Sequence, residues 1–487
     1  MERFFQQNSW DGGLSDSALR GMKSSIAEGV GLDIRSEPGV LKVSQALSKE
    51  TSGTVTGLAT CSLLGSDGYV YFGEKDSESI YKRSPAGAWS KITFSAGYSG
   101  GSAVLGIEEW NGRIYWTTEN SLWSMESGTA AASDTWGASR ANHGTLTSGS
   151  FHPMITQGLY LFIGNVTQIA SIDDTGGALP TFTKNGTPSV TLGNLPPNTN
   201  IKTLSKFGID ILAGTKHDQD NFSLAGVWRW DTVSPSYIAS DEIQETGINA
   251  FIPVDNYTFV QAGNRGNIYF YDGAKLYKKR QIPGNYKNKT MQVFPNSVTS
   301  FGGDSCFGVS NLSGNSTLQG VYTYDRRDID YPFSLMLEYV PSVNKTSGMN
   351  IGALVSKGTA LLVAWKDITN GTQGVDVIDY GTKYGSAYFK TMAISGNRRA
   401  KKTFLEQAIS YKSKPSGTNI TLHQDSNFAD IFSGTITLKD DSSYNKMFAQ
   451  NKFEAGVAQF RIDLSASGNT ASEIEEVFIS WNEQETL

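Results

Sequence analysis

The sequence predicts an all-β protein: a β-propeller of about seven blades, an extended N-terminal arm and a C-terminal antiparallel β-sandwich. Three observations support this fold class: the composition, a recurring strand motif, and a change of pattern near residue 386. Of 487 residues, 52 are Gly, aromatic residues make up 11 % and charged residues 18 %. Aromatic and β-branched side chains favour strands, whereas Gly, Asn, Asp and Ser favour the turns between them.

The strand motif recurs about every 44 to 55 residues between positions 51 and 385. Its copies lie at 69–73, 113–116, 159–164, 210–214 and 257–261, and weaker copies lie at 305–309 and 360–364. A second strand follows most copies after a polar turn. Because a lone hairpin cannot bury its apolar face, a tandem array of this period predicts radially stacked sheets.

Residues 1–50 carry fewer strand signals and form the predicted arm. A short helix is expected over Ser15–Ala27, where Ser15 or Asp16 could cap it and apolar side chains recur at helical spacing. An extended stretch follows, and Val40–Val43 is the predicted strand that closes the propeller ring.

Residues 386–487 change to alternating apolar and polar positions, for example at Ile420/Leu422 and Phe460/Ile462/Leu464. Alternation of this kind buries one face of each strand, as in an antiparallel sandwich. A basic cluster precedes these strands at Arg398, Arg399, Lys401 and Lys402. It is either a solvated junction or a surface on which a partner docks.

Several classes of function are disfavoured by composition. A formal net charge of −6 without a basic stripe argues against nucleic-acid binding. No stretch is long and apolar enough to predict a membrane span, and the first residues do not resemble a signal peptide. Cys61 and Cys306 provide no disulfide framework. We therefore expect synthesis in a reducing cytoplasm.

The sequence predicts no catalytic residue, cofactor or metal site. The four histidines are His143, His152, His217 and His423, and they lack metal-ligand spacing. The acidic candidates are Glu108–Glu109, Asp173–Asp174, and Asp218 and Asp220 beside His217. Adjacent acids on a strand point to opposite faces, which separates Glu108 from Glu109. The group around His217 is interpreted as a solvated loop, with a calcium site as the alternative.

Aromatic pairs are the other candidates for function. Trp228 and Trp230, and likewise Tyr269 and Tyr271, alternate along strands, so each pair shares one face. We interpret them as core residues packed between blades, because aromatic side chains dominate such cores. Exposed Trp and Tyr side chains at blade edges could instead stack on a sugar or a protein partner.

Both ends of the chain resemble virion proteins of tailed bacteriophages, of the tail-nozzle and tail-hub propeller type. The N-terminal match runs through Trp10-Asp-Gly-Gly-Leu-Ser, Asp33-Ile-Arg35 and Pro38-Gly-Val-Leu-Lys42, although Ile34 stands where the family has Asn. The C-terminal match includes Tyr388-Phe-Lys-Thr391 and Gln459-Phe-Arg-Ile-Asp-Leu464. The resemblance implies a structural virion component with no catalytic residues.

The expected function is therefore a non-enzymatic part of a phage tail that docks neighbouring virion proteins, in a homo-oligomeric ring. The residues expected to dock partners are Trp10, Asp33, Arg35, Arg398, Arg399, Lys401 and Lys402, with the arm ordering only on assembly. The first alternative is a carbohydrate-binding protein at the tail tip that recognises a host-surface glycan. The second alternative is a glycosidase with its acids in the central channel.

Overall fold

The chain was analysed as a computed structural model. The structure describes residues 2–19, 24–50, 55–77, 79–94, 103–126, 135–136, 141–173, 182–183, 195–219, 223–234, 236–283, 290–310, 316–326, 333–343, 346, 348–395, 401–426 and 434–483. In these residues the chain forms β-strands, together with a short 3-10 helix at Ser316–Leu318. This confirms the predicted all-β class.

The N-terminal segment consists of short strands. In chain order they are β1 (Glu2–Gln7), β2 (Gly13–Leu14), β3 (Ser25–Ile26), β4 (Glu28–Val30), β5 (Leu32–Asp33), β6 (Lys42–Val43) and β7 (Gln45–Lys49).

The repeat region follows with strands β8 to β35. They are β8 (Ala59–Leu64), β9 (Val70–Glu74), β10 (Ile80–Arg83), β11 (Trp89–Phe94), β12 (Gly106–Trp110), β13 (Arg113–Thr117), β14 (Ser121–Glu126), β15 (Thr135–Trp136), β16 (Ala141–Thr145), β17 (Met154–Gln157), β18 (Tyr160–Asn165), β19 (Gln168–Asp173), β20 (Phe182–Thr183), β21 (Thr199–Phe207), β22 (Asp210–His217), β23 (Ala225–Trp230), β24 (Ala239–Ile243), β25 (Ile248–Val254), β26 (Tyr257–Ala262), β27 (Asn267–Tyr271), β28 (Leu276–Gln281), β29 (Val298–Phe301), β30 (Asp304–Val309), β31 (Gly320–Asp325), β32 (Ser334–Tyr339), β33 (Met349–Lys357), β34 (Ala360–Asp367) and β35 (Thr372–Lys383).

The C-terminal strands are β36 (Ala387–Lys390), β37 (Lys402–Ser413), β38 (Ile420–Asp425), β39 (Gly434–Ile436), β40 (Lys439–Asp441), β41 (Lys446–Ala449), β42 (Phe453–Ala455), β43 (Gln459–Leu464), β44 (Ala466–Ser467), β45 (Thr470–Ala471) and β46 (Glu473–Glu483).

The chain divides into two compact units. Unit 1 comprises residues 1–48, 320–342 and 378–487, and unit 2 comprises residues 49–319 and 343–377. The predicted boundaries at 50 and 385 lie near two of these divisions. The predicted arm and the predicted sandwich, however, belong to the same unit.

Unit 2 contains the propeller repeats. Five successive antiparallel sheets are formed by β8–β11, by β12, β13, β14 and β16, by β17–β20, by β21–β24 and by β25–β28. We call β8, β12, β17, β21, β25, β29 and β33 the first strands. Each first strand contacts the next, and β33 contacts β8, so together they form a closed ring. This is a β-propeller arrangement. Several outer strands border residues outside the description, so the exact number of blades stays a prediction.

The motif found in the sequence is the second strand of each repeat: β9, β13, β18, β22, β26, β30 and β34. These strands are almost continuously buried, as in β9 and β30, where every residue is buried. A strand covered on both faces reads as an apolar run, which explains why these strands give the strongest sequence signal.

Unit 1 is a sandwich that includes the N-terminal segment. One sheet has the order β1-β46-β37-β41-β40, and the other has the order β39-β38-β43-β36-β4. Phe404 of β37 packs edge-on against Phe460 of β43, with ring centroids 5.9 Å apart, so the two inner faces meet. The predicted free arm is therefore replaced by strands β1 and β4, each hydrogen-bonded within this unit.

The predicted helix at Ser15–Ala27 is wrong for the described part of this stretch. Ser25–Ile26 forms β3, which pairs in parallel with β2. The Ser15 hydroxyl accepts a hydrogen bond from Ser17 N at 3.3 Å and donates to Ser17 O at 2.9 Å, so it stabilises a turn rather than capping a helix. Residues 20–23, including Met22, lie outside the described residues.

The closing strand was predicted one strand too early. Lys42–Val43 pairs with Leu32–Asp33, and Leu41 bridges to Ile474, because Leu41 and Val43 are buried in unit 1. The next strand, β7, lies beside β35, the last strand of the repeats. At its end, Glu50 N donates to Val375 O at 3.1 Å.

Candidate functional site

The N-terminal residues expected to dock partners make contacts within unit 1. Trp10 is buried and packs edge-on against Phe389, with ring centroids 5.2 Å apart. The following Gly13 has φ +59°, and a Cβ there would lie 2.6 Å from Leu335 O. A Gly is therefore required for the chain to turn and approach β32 closely.

Asp33 and Arg35 form a charged turn. The Asp33 Oδ1 accepts hydrogen bonds from Arg35 N at 2.9 Å and Ser36 N at 3.0 Å. The Arg35 guanidinium lies 2.8 Å from the buried Glu338 carboxylate and donates to the Tyr339 hydroxyl. Arg35 thus holds the N-terminal segment against β32, whatever further role it has.

The described residues of the basic cluster lie in different environments. Arg398 and Arg399 lie outside the described residues. The Lys401 side chain is 61 % exposed and forms an ion pair with Glu454. Lys402 is buried, and its Nζ donates to Gly456 O at 2.6 Å. Burial lowers the pKa of Lys402. Of the two described lysines, Lys401 is therefore the one that a partner could reach.

The acidic group around His217 is a surface turn in its described part. His217 Nδ1 accepts a hydrogen bond from Gln219 N at 3.2 Å, and Asp218 accepts one from the Asn200 side chain. Asp220 lies outside the described residues, as does Asp174, and nothing is described of the Asp173 side chain. Among the described residues, no group of three His, Cys, Asp or Glu side chains could hold a metal ion.

Glu108 and Glu109 diverge as predicted for neighbours on a strand. Glu108 accepts a hydrogen bond from Thr156 Oγ1 at 3.0 Å, whereas Glu109 accepts from Ser66 N and Oγ, both at 2.6 Å. Burial raises the pKa of Glu108 to about 7, against weaker lowering by the Thr156 hydrogen bond. A pKa near 7 suits a general acid, but a glycosidase also needs a second carboxyl group about 5 to 9.5 Å away.

The aromatic pairs pack inside unit 2. Trp230 and Tyr271 are buried, with Trp230 edge-on to Phe162 at 5.3 Å between ring centroids. Trp228 packs against Tyr237 with centroids 5.5 Å apart. The Tyr269 hydroxyl donates to Glu245 Oε1 at 2.8 Å. The packing of these four side chains therefore agrees with their interpretation as core residues.

The structure adds a feature that sequence reasoning missed, a partly buried lysine at a β-bulge. The β21–β22 register shifts between Ile201 and Thr203, so Lys202 has no residue opposite it. The neighbouring strand β25 shifts between Ile248 and Ala250, which leaves Asn249 in the same situation. Lys202 Nζ donates to Asn249 Oδ1 at 2.5 Å. The sequence carries no signal for a bulge here, because Lys202 fits the polar phase of an alternating strand.

The two cysteines and His152 are buried residues of the repeat region. Cys61 and Cys306 are buried free thiols, and burial raises the pKa of Cys61 to about 12. His152 is buried, with its ring nitrogens 2.8 Å from Gly164 O and 3.0 Å from Glu119 O.

Within the part of the chain that the structure describes, no helix is long and apolar enough to cross a membrane.

Comparisons with solved structures find several proteins to which this chain is distantly similar. The extracellular domain of a hybrid two-component system protein from B. thetaiotaomicron is 14 % identical, with a TM-score of 0.46 over 74 % of this chain and 43 % of its own. The chain thus spans less than half of that protein. A streptogramin B lyase is 10 % identical, with a TM-score of 0.46 over 69 % of this chain and 97 % of its own. The WD40 domain of Neurospora crassa Pan2 is 10 % identical, with a TM-score of 0.42 over 69 % of this chain and 95 % of its own.

No family model matches the sequence, and no curated protein matches it.

Proposed function

We propose that the protein is a non-catalytic structural component of a bacteriophage tail, located in the virion, that docks neighbouring tail proteins through one end of its propeller. The resemblance of the two chain ends to tail proteins supports the proposed location in a phage tail. The observation that carries the docking role is an apolar surface on unit 2, at the turns that join first strands to second strands. We call it the turn surface.

The turn surface spans three neighbouring repeats. Leu159 is 81 % exposed in the β17–β18 turn, and Ile209 is 80 % exposed in the β21–β22 turn. Tyr160 and Tyr257 are 44 % and 41 % exposed beside the β17–β18 and β25–β26 turns. Strand β21 contacts both β17 and β25, which makes the three repeats neighbours.

These apolar side chains are not required by the turns. Gly158 and Gly208 have φ +59° and +63°, and each is the first central residue of a two-residue hairpin loop. The second central position tolerates polar residues, and the equivalent residue of the β33–β34 turn is Thr359. Apolar groups exposed together on a protein surface mark an interaction site. A ring of copies would use such a surface in heterologous contacts that close under cyclic symmetry.

The test replaces Leu159 and Ile209 by Thr, the residue that the chain itself uses at the equivalent turn. The variant is supplied in trans to a phage whose own copy of the gene is disrupted, and incorporation into particles is measured. The Leu159→Thr/Ile209→Thr variant should keep the wild-type melting temperature and lose incorporation. Ile368→Thr is the matched control, because Ile368 is also exposed but lies in the β34–β35 turn, at the other end of the strands. Normal incorporation of the double variant would contradict the proposed docking role.

A second candidate function, glycan binding at the tail tip, is favoured by the two tyrosines of the turn surface. Tyr160 packs on Phe162 at 5.7 Å and Tyr257 on Phe270 at 5.8 Å between ring centroids, so each exposed ring is supported from within. Rigid exposed rings are suited to stacking on sugars. On a glycan array, Tyr160→Ala/Tyr257→Ala should abolish binding while Leu159→Thr/Ile209→Thr retains it. Absence of glycan binding by the wild-type protein would exclude this candidate.

A further inference from the structure

The opposite ends of the first strands, away from the turn surface, carry a set of β-bulges. The register shifts around Thr60 in β8, Lys202 in β21 and Asn249 in β25. Because a bulge leaves one residue unpaired and redirects its side chain, bulges recur next to functional sites. Two of these bulge residues, Lys202 and Asn249, contact each other.

Asn249 is held in the orientation that faces Lys202. Its Nδ2 donates to Gln261 Oε1 at 2.7 Å and to Gly263 O at 2.6 Å, so its Oδ1 is directed toward the Lys202 ammonium. The ammonium also lies 5.5 Å from the centroid of the Phe151 ring. Among the described residues, no carboxylate oxygen lies within 4.0 Å of Lys202 Nζ.

Two further lysines lie close enough to act on Lys202. Lys216 pairs with Asn200 in the β21–β22 hairpin. Lys75 donates its backbone N–H to Leu58 O at 2.9 Å, and its ammonium lies 5.6 Å from the Phe294 ring centroid. Burial, and then the charges of Lys216 and Lys75, lower the pKa of Lys202 to about 7. The positive charges of Lys216 and Lys75 therefore act on Lys202.

Two acids that follow Lys75 and Lys216 in the chain have other partners. Asp218 accepts a hydrogen bond from Asn200, and Asp76 lies 3.1 Å from Lys366. Neither forms an ion pair with Lys202. Withdrawing part of a cation from water without a counter-charge is costly, so a position that served packing alone would favour an uncharged side chain such as Met.

We propose that Lys202, Lys216 and Lys75 form a binding site for the oxyanion of a small ligand, a phosphate or a carboxylate group. The anion would supply the counter-charge that Lys202 lacks, while Asn249 fixes the position of the ammonium. Lys75 is exposed and Lys202 and Lys216 are partly exposed, so a ligand can reach the cluster from solvent. The site does not depend on the proposed tail function, because it uses residues distant from the turn surface.

The test titrates the full-length protein with inorganic phosphate and, separately, with glucuronate, by isothermal titration calorimetry. Lys202→Met is compared with Lys278→Met, a matched change at an exposed lysine. At pH 6 the wild type and Lys278→Met should bind equally, and Lys202→Met should bind at least tenfold more weakly. Preference for phosphate or for glucuronate identifies the ligand class. Equal binding by the two variants, or no binding of either anion by the wild type at millimolar concentration, would overturn the proposal.

The pH dependence provides a second readout. Glucuronate keeps one negative charge between pH 6 and 8, so any change in its affinity comes from the protein. With a pKa of about 7, Lys202 is mostly protonated at pH 6 and mostly neutral at pH 8. Glucuronate affinity should fall by about tenfold over this range in the wild type. In Lys202→Met it should change much less, and an equal fall in both proteins would contradict the role of Lys202.

Discussion

Arg35 in unit 1 and Lys202 in unit 2 are both partly withdrawn from solvent, but their surroundings differ. In unit 1 the Arg35 guanidinium lies 2.8 Å from the buried Glu338 carboxylate. In unit 2 the Lys202 ammonium faces the neutral Asn249 amide oxygen, and two more lysines lie nearby. A paired buried charge fixes the position of a segment, whereas an unpaired one opposes folding. The difference assigns the unit 1 charges to architecture and Lys202 to recognition.

The largest expected effect is the loss of stability on replacing Arg35. Replacing Arg35 by Met leaves Glu338 buried without its counter-charge, so the free energy of unfolding should fall by about 3 kcal/mol. Chemical denaturation followed by near-UV circular dichroism measures this loss. The double variant Arg35→Met/Glu338→Met removes both charges and should recover most of it. If Arg35→Met alone is as stable as the wild type, the pair does not hold the N-terminal segment.

The sequence could not reveal this pair, because Arg35 and Glu338 are distant in the chain and Glu338 lies in no motif. The Arg was expected to face a partner protein, and the fold instead supplies its carboxylate from β32. By contrast, the second strands were predicted correctly, since their apolar runs are local in sequence. Strands such as β5 and β6 have two residues each and are defined by long-range pairing alone, so no local pattern predicts them.

The next effect is a gain in stability. Lys202→Met removes a partly buried cation that has no carboxylate partner among the described residues, and the free energy of unfolding should rise by about 2 kcal/mol at pH 6. The folded pKa of Lys202 is about 7, below its ordinary value of 10.5, so the unfolded chain binds more protons between these values. Wild-type stability therefore rises with pH in this window, and the gain from Lys202→Met should shrink by pH 9. Thermal unfolding at both pH values measures it, and a gain independent of pH would contradict the assignment.

A smaller gain is expected at Glu108, a partly buried acid of unit 2. Its folded pKa is about 7, above the ordinary 4.5, so the wild type loses stability as the pH rises from about 4.5 to 7. Glu108→Gln should match the wild type at pH 4 and be more stable by about 1 kcal/mol at pH 8. Glu109→Gln is the control, because it instead weakens two hydrogen bonds to Ser66. Equal pH profiles for Glu108→Gln and the wild type would show that this acid is solvated.

The candidate site was only partly accessible to sequence reasoning. The opposite orientation of Glu108 and Glu109 follows from strand geometry, and the structure agrees. The lysine cluster depends on β-bulges and on the placement of three repeats around a ring. The exposure of Leu159 and Ile209 depends on which turn each occupies, and an apolar residue in a sequence reads first as core.

The smallest expected effect distinguishes Lys401 from Lys402, the two neighbouring lysines of the basic cluster. Lys401→Ala removes an exposed ion pair with Glu454, and the free energy of unfolding should change by less than about 0.5 kcal/mol. Lys402→Ala removes a buried hydrogen bond to Gly456 O and should cost about 1 kcal/mol. Denaturation curves of both variants, together with incorporation into particles, distinguish surface from interior. A docking role for the junction requires that Lys401→Ala lose incorporation while keeping full stability, and normal incorporation of this variant would leave docking to the turn surface.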